Sequence, residues 1–205
     1  MSKLQKPTRL YLVRHGEVVP RGQGKFLGFT DLGLSAEGKR QVSSLADYLR
    51  DKPIDLAYAS DLNRTLTTAG MICRDRGIPV NPVPEFREMD MGLWDGKSWV
   101  EIKKEDPEAD PRFNNLSRFH FPEGEHWYGF RKRVLKSLKD LLERGRGKHI
   151  LLVAHAGVNR VILAQALGLP FKHMFRLDQA NACLNVIEYY KTGAKVVLMN
   201  GVFYR

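Results

Sequence analysis

Hydrophobic and polar positions divide this chain into short, wholly apolar runs and longer stretches with helical spacing. Leu10-Tyr11-Leu12-Val13 and Ile150-Leu151-Leu152-Val153-Ala154 are unbroken apolar runs, a pattern that suits strands buried on both faces of a parallel sheet. A third strand is expected from Ile54 to Ala59, ending at Ser60. Val42, Leu45, Ala46 and Leu49 recur at helical spacing behind Ser35, a good N-cap. Leu62, Leu66, Ala69, Ile72 and Cys73 predict a second helix, capped by Ser60 or Asp61 and stopped at Gly77-Ile78-Pro79. Phe130, Val134, Leu138 and Leu141 mark the inner stripe of a long helix over Glu125 to Arg144. Another helix follows His155 through Val158, Val161, Ile162 and Leu167 and ends at Gly168-Leu169-Pro170. Cys183 to Tyr190 and Lys195 to Met199 read as two strands around a Thr192-Gly193 turn.

Strands alternating with helices predict an α/β fold, a three-layer α/β/α sandwich around a mostly parallel central sheet. At 205 residues, the chain is expected to form a single domain over 1–205. Residues around 94–123 have weaker periodicity and many charges. They are expected to form a cap-like insertion over the carboxyl edge of the sheet, where folds of this class bind ligands.

Composition changes this picture little. Hydrophobic residues make up 43% of the chain and charged residues 27%, with a formal net charge of +10; that is ordinary globular composition with an anionic partner expected. Nucleic acid, an acidic membrane and a phosphorylated small molecule all satisfy that charge. The densest basic stretch, Arg131-Lys132-Arg133 followed by Lys136 and Lys139, reads as the wet face of the long helix. Cys73 and Cys183 are the only cysteines. They make no disulfide framework, so a reducing, cytoplasmic setting is expected. The first seven residues carry no apolar signal core, and no apolar run approaches the roughly 18 residues that cross a membrane.

The chemistry gathers where the apolar runs end. Arg14-His15-Gly16 follows the first run and His155-Ala156-Gly157 follows the second. Two histidines at the ends of two core strands are harder to dismiss than one, which would more often be a buried residue bonded to backbone. The Ala156-Gly157 turn opens a helix, whose free N–H groups and partial positive charge favour an anion. Arg64, in the first turns of the second helix, would by itself be a solvated arginine, and Glu88 a surface carboxylate.

Together these residues resemble the histidine phosphatase superfamily, in its phosphoglycerate-mutase-like branch. The matching pieces are Leu12-Val13-Arg14-His15-Gly16-Glu17, Thr30-Asp31-Leu32-Gly33-Leu34-Ser35-Ala36-Glu37-Gly38, and Ala59-Ser60-Asp61-Leu62-Asn63-Arg64-Thr65. They continue with Arg87-Glu88 through Gly96, Pro122-Glu123-Gly124-Glu125, and Val153-Ala154-His155-Ala156-Gly157. The resemblance implies that His15 is a nucleophile forming a phosphohistidine, and that Arg14, Arg64 and His155 grip the phosphoryl oxygens. It implies that Glu88 protonates the leaving oxygen, with Asp90 and Asp95 as nearby alternatives. Arg21, Gly28 and Ala156 are expected to contact substrate. The implied activity is a metal-independent phosphomonoesterase acting on a small phosphorylated metabolite, with no cofactor, no nucleic-acid or membrane partner, and a monomeric or homodimeric state. A cofactor-dependent phosphoglycerate mutase, or a non-catalytic phosphate-binding protein on the same fold, are the alternatives.

The chain also departs from the family pattern. Val18 and Arg21 stand where many members have Thr and Asn, Leu27 replaces a Thr common in the mutases, and His126 replaces a frequent Ser. These changes put substrate identity in question more than reaction type. His120 to His126 has the residue types of a metal cluster but no familiar ligand spacing, so no metal is expected. Trp94, Trp99 and Trp127 fit either a pocket lining or the core.

Overall fold

A computed structural model describes residues 6–18, 24–109 and 119–204. Its centre is a six-stranded sheet in the order β3-β2-β4-β1-β5-β6. The strands are β1 (Thr8–Arg14), β2 (Leu56–Ala59), β3 (Val80–Pro82), β4 (His149–Ala154), β5 (Leu184–Tyr190) and β6 (Gly193–Gly201). β1 to β4 are mutually parallel, and the hairpin β5–β6 adds to the free side of β1 in the antiparallel sense. The sandwich is therefore mostly parallel, as the apolar runs predict; Val80–Pro82, too short and polar to stand out in sequence, is the strand that the periodicity misses.

Helices α1 (Ala36–Leu49) and α2 (Asn63–Cys73) cover one face, and α4 (Trp127–Arg144) and α5 (Ala156–Leu167) the other; the short α3 (Trp99–Glu105) precedes α4. Alternation along the strands feeds both cores. Leu10, Leu12, Ile150 and Leu152 pack with Phe130, Val134, Val158 and Ile162, while Tyr11, Val13, Leu151 and Val153 pack with Val42, Leu45, Ala69 and Ile72. Burying each such aliphatic side chain is worth roughly 1.5–3 kcal/mol. Of the three tryptophans, Trp94 and Trp127 are buried in the first of these cores and Trp99 packs against it.

Capping shows where local sequence does and does not decide. Ser35 caps α1 through its side chain, accepting from the Gly38 N–H at 2.9 Å. Neither Ser60 nor Asp61 caps α2 in that way: Leu62 holds the cap position, and the Asn63 N–H is taken by Asp31 at 2.7 Å from a distant loop. His126 sits at the cap of α4 and makes no side-chain cap bond there.

The turn after β1 is held against the start of α1 by contacts that exclude side chains. A Cβ on Gly38 would lie 2.0 Å from the Glu17 carbonyl oxygen, and one on Gly16 would lie 2.6 Å from the Gly38 carbonyl oxygen. Gly38→Ala should therefore destabilise the protein by about 2 kcal/mol or more through overpacking. Gly70, inside α2 with nothing within 4 Å of its added Cβ, should instead gain about 0.5–1 kcal/mol on replacement by Ala. Urea unfolding of the two variants checks both signs.

Candidate active site

Three strands end on residues of the cluster. β1 delivers His15, β4 delivers His155 and β2 delivers Ser60. Because Arg14 pairs with Ala154 in the parallel register, the next residues along each strand are neighbours. The His15 and His155 rings lie 5.2 Å apart, edge to face.

His15 is buried, and its Nδ1 lies 2.8 Å from the Gly16 carbonyl oxygen. A carbonyl only accepts, so Nδ1 carries the proton and Nε2 keeps its lone pair. Burial, with the positive charges of Arg14 and Arg64 beside it, holds the imidazole well below its usual pKa. It is therefore neutral at pH 7. Burial and Arg64 depress His155 in the same way. His155 Nδ1 accepts from Arg64 Nε at 3.3 Å, which leaves its Nε2–H to donate to Ser60 Oγ at 3.0 Å.

The two arginines are held differently. Arg64 is 1% exposed, and donates from its terminal nitrogens to the carbonyls of Thr30 at 2.6 Å and Gly28 at 2.7 Å. It thus ties the loop at 28–30 to the cluster, while Asp95 accepts from the Gly28, Phe29 and Thr30 N–H groups at 2.8–2.9 Å. Arg14 donates from Nη1 to the Gln179 carbonyl at 2.6 Å, and its buried Nε has no hydrogen-bond partner among the described residues. Beneath Arg14, Asn185 on β5 donates to the Leu12 carbonyl at 3.1 Å and to Gln179 Oε1 at 2.8 Å.

Glu88 lies between two single 3₁₀ turns, Pro84–Phe86 and Gly92–Trp94. Its carboxylate accepts from the Gly157 N–H at 2.9 Å and the Met89 N–H at 3.0 Å. The first turn of α5 thus receives the carboxylate of Glu88, which the helix dipole favours. Gly157 is required for this, since a Cβ there would lie 2.3 Å from Glu88 Oε1.

A cavity of about 400 Å³ is lined by Arg14, His15, Glu88 and Ala156, together with Glu17, Val18, Gly24, Lys25, Leu27 and Asn181. Arg64 and His155 lie behind that surface, and Gly28 is not among its lining residues. Instead, Gly28 allows a close approach, because a Cβ there would lie 2.5 Å from the Met89 carbonyl oxygen. Arg21 lies outside the described residues. Asp90 and Asp95 are not among the lining residues, Asp90 accepting from the Gly92 N–H at 3.0 Å and Asp95 from the N–H groups of the loop at 28–30. Among the described residues, no group of three or more His, Cys, Asp or Glu side chains is arranged to hold a metal ion. No described helix is long and apolar enough to cross a membrane.

Several residues of this arrangement were not legible as such. Arg133 is no part of a wet face: it is half-buried, pairs with Glu125 at 2.6 Å and reaches the backbone next to Glu88. Thr68 accepts from the Gly16 N–H at 3.2 Å, and Gln179 and Asn185 support Arg14. No pattern in the sequence singles these three residues out, because each acts through partners distant in the chain or outside regular elements.

The family model for the histidine phosphatase superfamily (branch 1) matches residues 10–201. An adenosylcobalamin/alpha-ribazole phosphatase from Escherichia coli K12 is 32% identical, over 94% of this chain and 95% of that one. A protein named probable phosphoglycerate mutase from Yersinia enterocolitica is 31% identical, over 90% of this chain and 86% of its own length. The crystal structure of the alpha-ribazole phosphatase from Shigella flexneri superimposes with a TM-score of 0.88 at 30% identity, covering 97% of this chain and 98% of that one. With the fold, the paired strand-end histidines and the two arginines beside them, these similarities establish that the chain belongs to the histidine phosphatase superfamily, branch 1.

Proposed function

We propose that this chain is a phosphomonoesterase that hydrolyses a small phosphorylated metabolite in two displacements at His15. The observation that carries the reading is a neutral imidazole, fixed through Nδ1–H on the Gly16 carbonyl, in a cavity shared with Arg14 and Glu88. In the first step, His15 Nε2 attacks phosphorus as the ester P–O bond breaks, and the protonated Glu88 carboxyl gives its proton to the leaving oxygen. In the second, the Glu88 carboxylate takes a proton from water. The water oxygen then displaces His15, breaking the P–N bond and releasing phosphate.

Arg14, with its partnerless Nε, supplies charge-assisted bonds to the phosphoryl oxygens. Arg64 adds its remaining N–H groups from behind, and His155 turns its N–H from Ser60 to the same oxygens. Ala156 shapes the floor, while Lys25 and Leu27 meet the rest of the substrate; Arg21, four residues before Lys25 in the chain, adds a cation to an anionic one. The reading uses no metal and no cofactor, and fits a one-domain, cytoplasmic enzyme with a cap around 94–123, active as a monomer or homodimer without nucleic acid or membrane.

Two predictions follow from this chemistry. With p-nitrophenyl phosphate and a panel of phosphorylated metabolites in EDTA, the protein should turn over repeatedly, and His15→Ala should lower the rate by at least about 10³-fold. Undiminished activity of His15→Ala would exclude the mechanism, and transfer of the phosphoryl group onto 3-phosphoglycerate in place of water would make the protein a mutase. The pH dependence is the second. The neutral imidazole is the reactive form and its pKa is depressed, so kcat/KM for p-nitrophenyl phosphate should hold to within about twofold from pH 7.5 to pH 6. A histidine titrating at its ordinary value of about 6.5 would give a fall of roughly fourfold over that range.

A further inference from the structure

We infer that Arg133 and Glu125 form a positioning pair that sets the proton-transfer geometry of Glu88, and that Arg133 is a determinant of activity on substrates with poor leaving groups. The inference rests on the reading of Glu88 as the proton donor. Glu88 stands on a stretch without regular secondary structure, so its backbone is not held by a helix or sheet ladder, and its groups need other partners.

Arg133, on α4, supplies them. It donates from Nη1 to the carbonyls of Glu85 at 2.7 Å and Arg87 at 3.1 Å, and from Nη2 to the carbonyl of Glu88 itself at 3.3 Å. The other edge of the guanidinium is locked by a two-point pairing with Glu125, at 2.9 Å from Nε and 2.6 Å from Nη2. Glu125 in turn accepts from the Asp90 N–H at 3.0 Å, and its own N–H donates to the Asp90 carbonyl at 2.9 Å. One planar cation therefore fixes the backbone from 85 to 88, and its carboxylate partner fixes residue 90. Phe86 and Met89, both buried, anchor the same stretch in the core.

The fork geometry matters. A lysine at 133 would keep the charge but cannot bond Glu125 at two points while reaching three carbonyls. With the pair broken, Phe86 and Met89 would still hold the stretch in place overall. The Glu88 carboxylate would lose the sub-ångström placement that proton transfer needs.

Leaving-group dependence tests this, because a p-nitrophenolate departs without a proton and an alkoxide does not. The experiment compares kcat/KM for p-nitrophenyl phosphate with that for an alkyl phosphate such as β-glycerol phosphate, in the wild type, Arg133→Lys, Arg133→Met, Glu88→Gln and Glu88→Gln/Arg133→Met. kcat/KM reports the first displacement alone, and the ratio of the two substrates is independent of how much of a preparation is folded. Arg133→Lys and Arg133→Met should lower the alkyl value by about 10- to 100-fold and the p-nitrophenyl value by less than about fivefold. In the Glu88→Gln background, Arg133→Met should change the ratio no further. Equal losses on both substrates, or an additive loss in the double variant, would overturn the positioning role. If Glu88→Gln itself leaves the ratio unchanged, the failure lies in the assignment of Glu88 as the acid.

Discussion

The parallel register of β1 on β4 is the constraint from which the site follows. Arg14 stands opposite Ala154, so the residues that continue those strands, His15 and His155, emerge side by side at one edge of the sheet. Were the register shifted by one residue, every side chain of β1 would exchange faces, so that Tyr11 and Val13 would have to fit the spaces shaped for Leu10 and Leu12, and the reverse. The packing of Leu10 and Leu12 on one side and Tyr11 and Val13 on the other therefore fixes the site as firmly as any polar contact does.

Around that pair the charges are arranged so that the histidines stay neutral. Burial of the two rings disfavours their charged forms, and the guanidinium groups of Arg14 and Arg64 beside them act in the same direction. The Nδ1–H bond to Gly16 selects the tautomer that leaves Nε2 its lone pair. The Glu88 carboxylate is held on the N-terminus of α5, where Gly157 leaves room for it. Arginine serves two purposes here: Arg14 faces the cavity, while Arg64 and Arg133 donate to backbone carbonyls of the loops that shape it. In the proposed mechanism, helix α5 thus holds the Glu88 carboxyl group in place, and phosphate binding is assigned to Arg14 and the groups behind it.

Much of this was legible in the sequence, for identifiable reasons. Strands buried on both faces read as continuous apolar runs, so β1 and β4 and the histidines after them stand out; helix stripes on α1, α4 and α5 do so equally. What was hidden depends on contacts far apart in sequence. Asp31 caps α2 across 32 positions, Asp95 gathers the N–H groups at 28–30, and Arg133 reaches back 45 positions to the Glu88 carbonyl. No local pattern distinguishes these residues from solvated surface charges, which is how Arg133 reads in a basic run. Gly28, expected to meet substrate, proves to be needed for a close approach of backbone to backbone. Val18, where the family resemblance leads one to expect Thr, bridges to Leu34 and packs in the core while lining the cavity.

The proposed mechanism requires a covalent bond between phosphorus and His15 Nε2. Rapid acid-free quenching during turnover of a phosphate monoester, followed by peptide mass spectrometry under alkaline conditions, locates any such adduct. The account predicts one phosphoryl group on the peptide containing His15, formed and lost at rates compatible with turnover and missing in His15→Ala. Turnover with no adduct at His15, or an adduct on any other residue that forms and decays as fast as turnover, would contradict it.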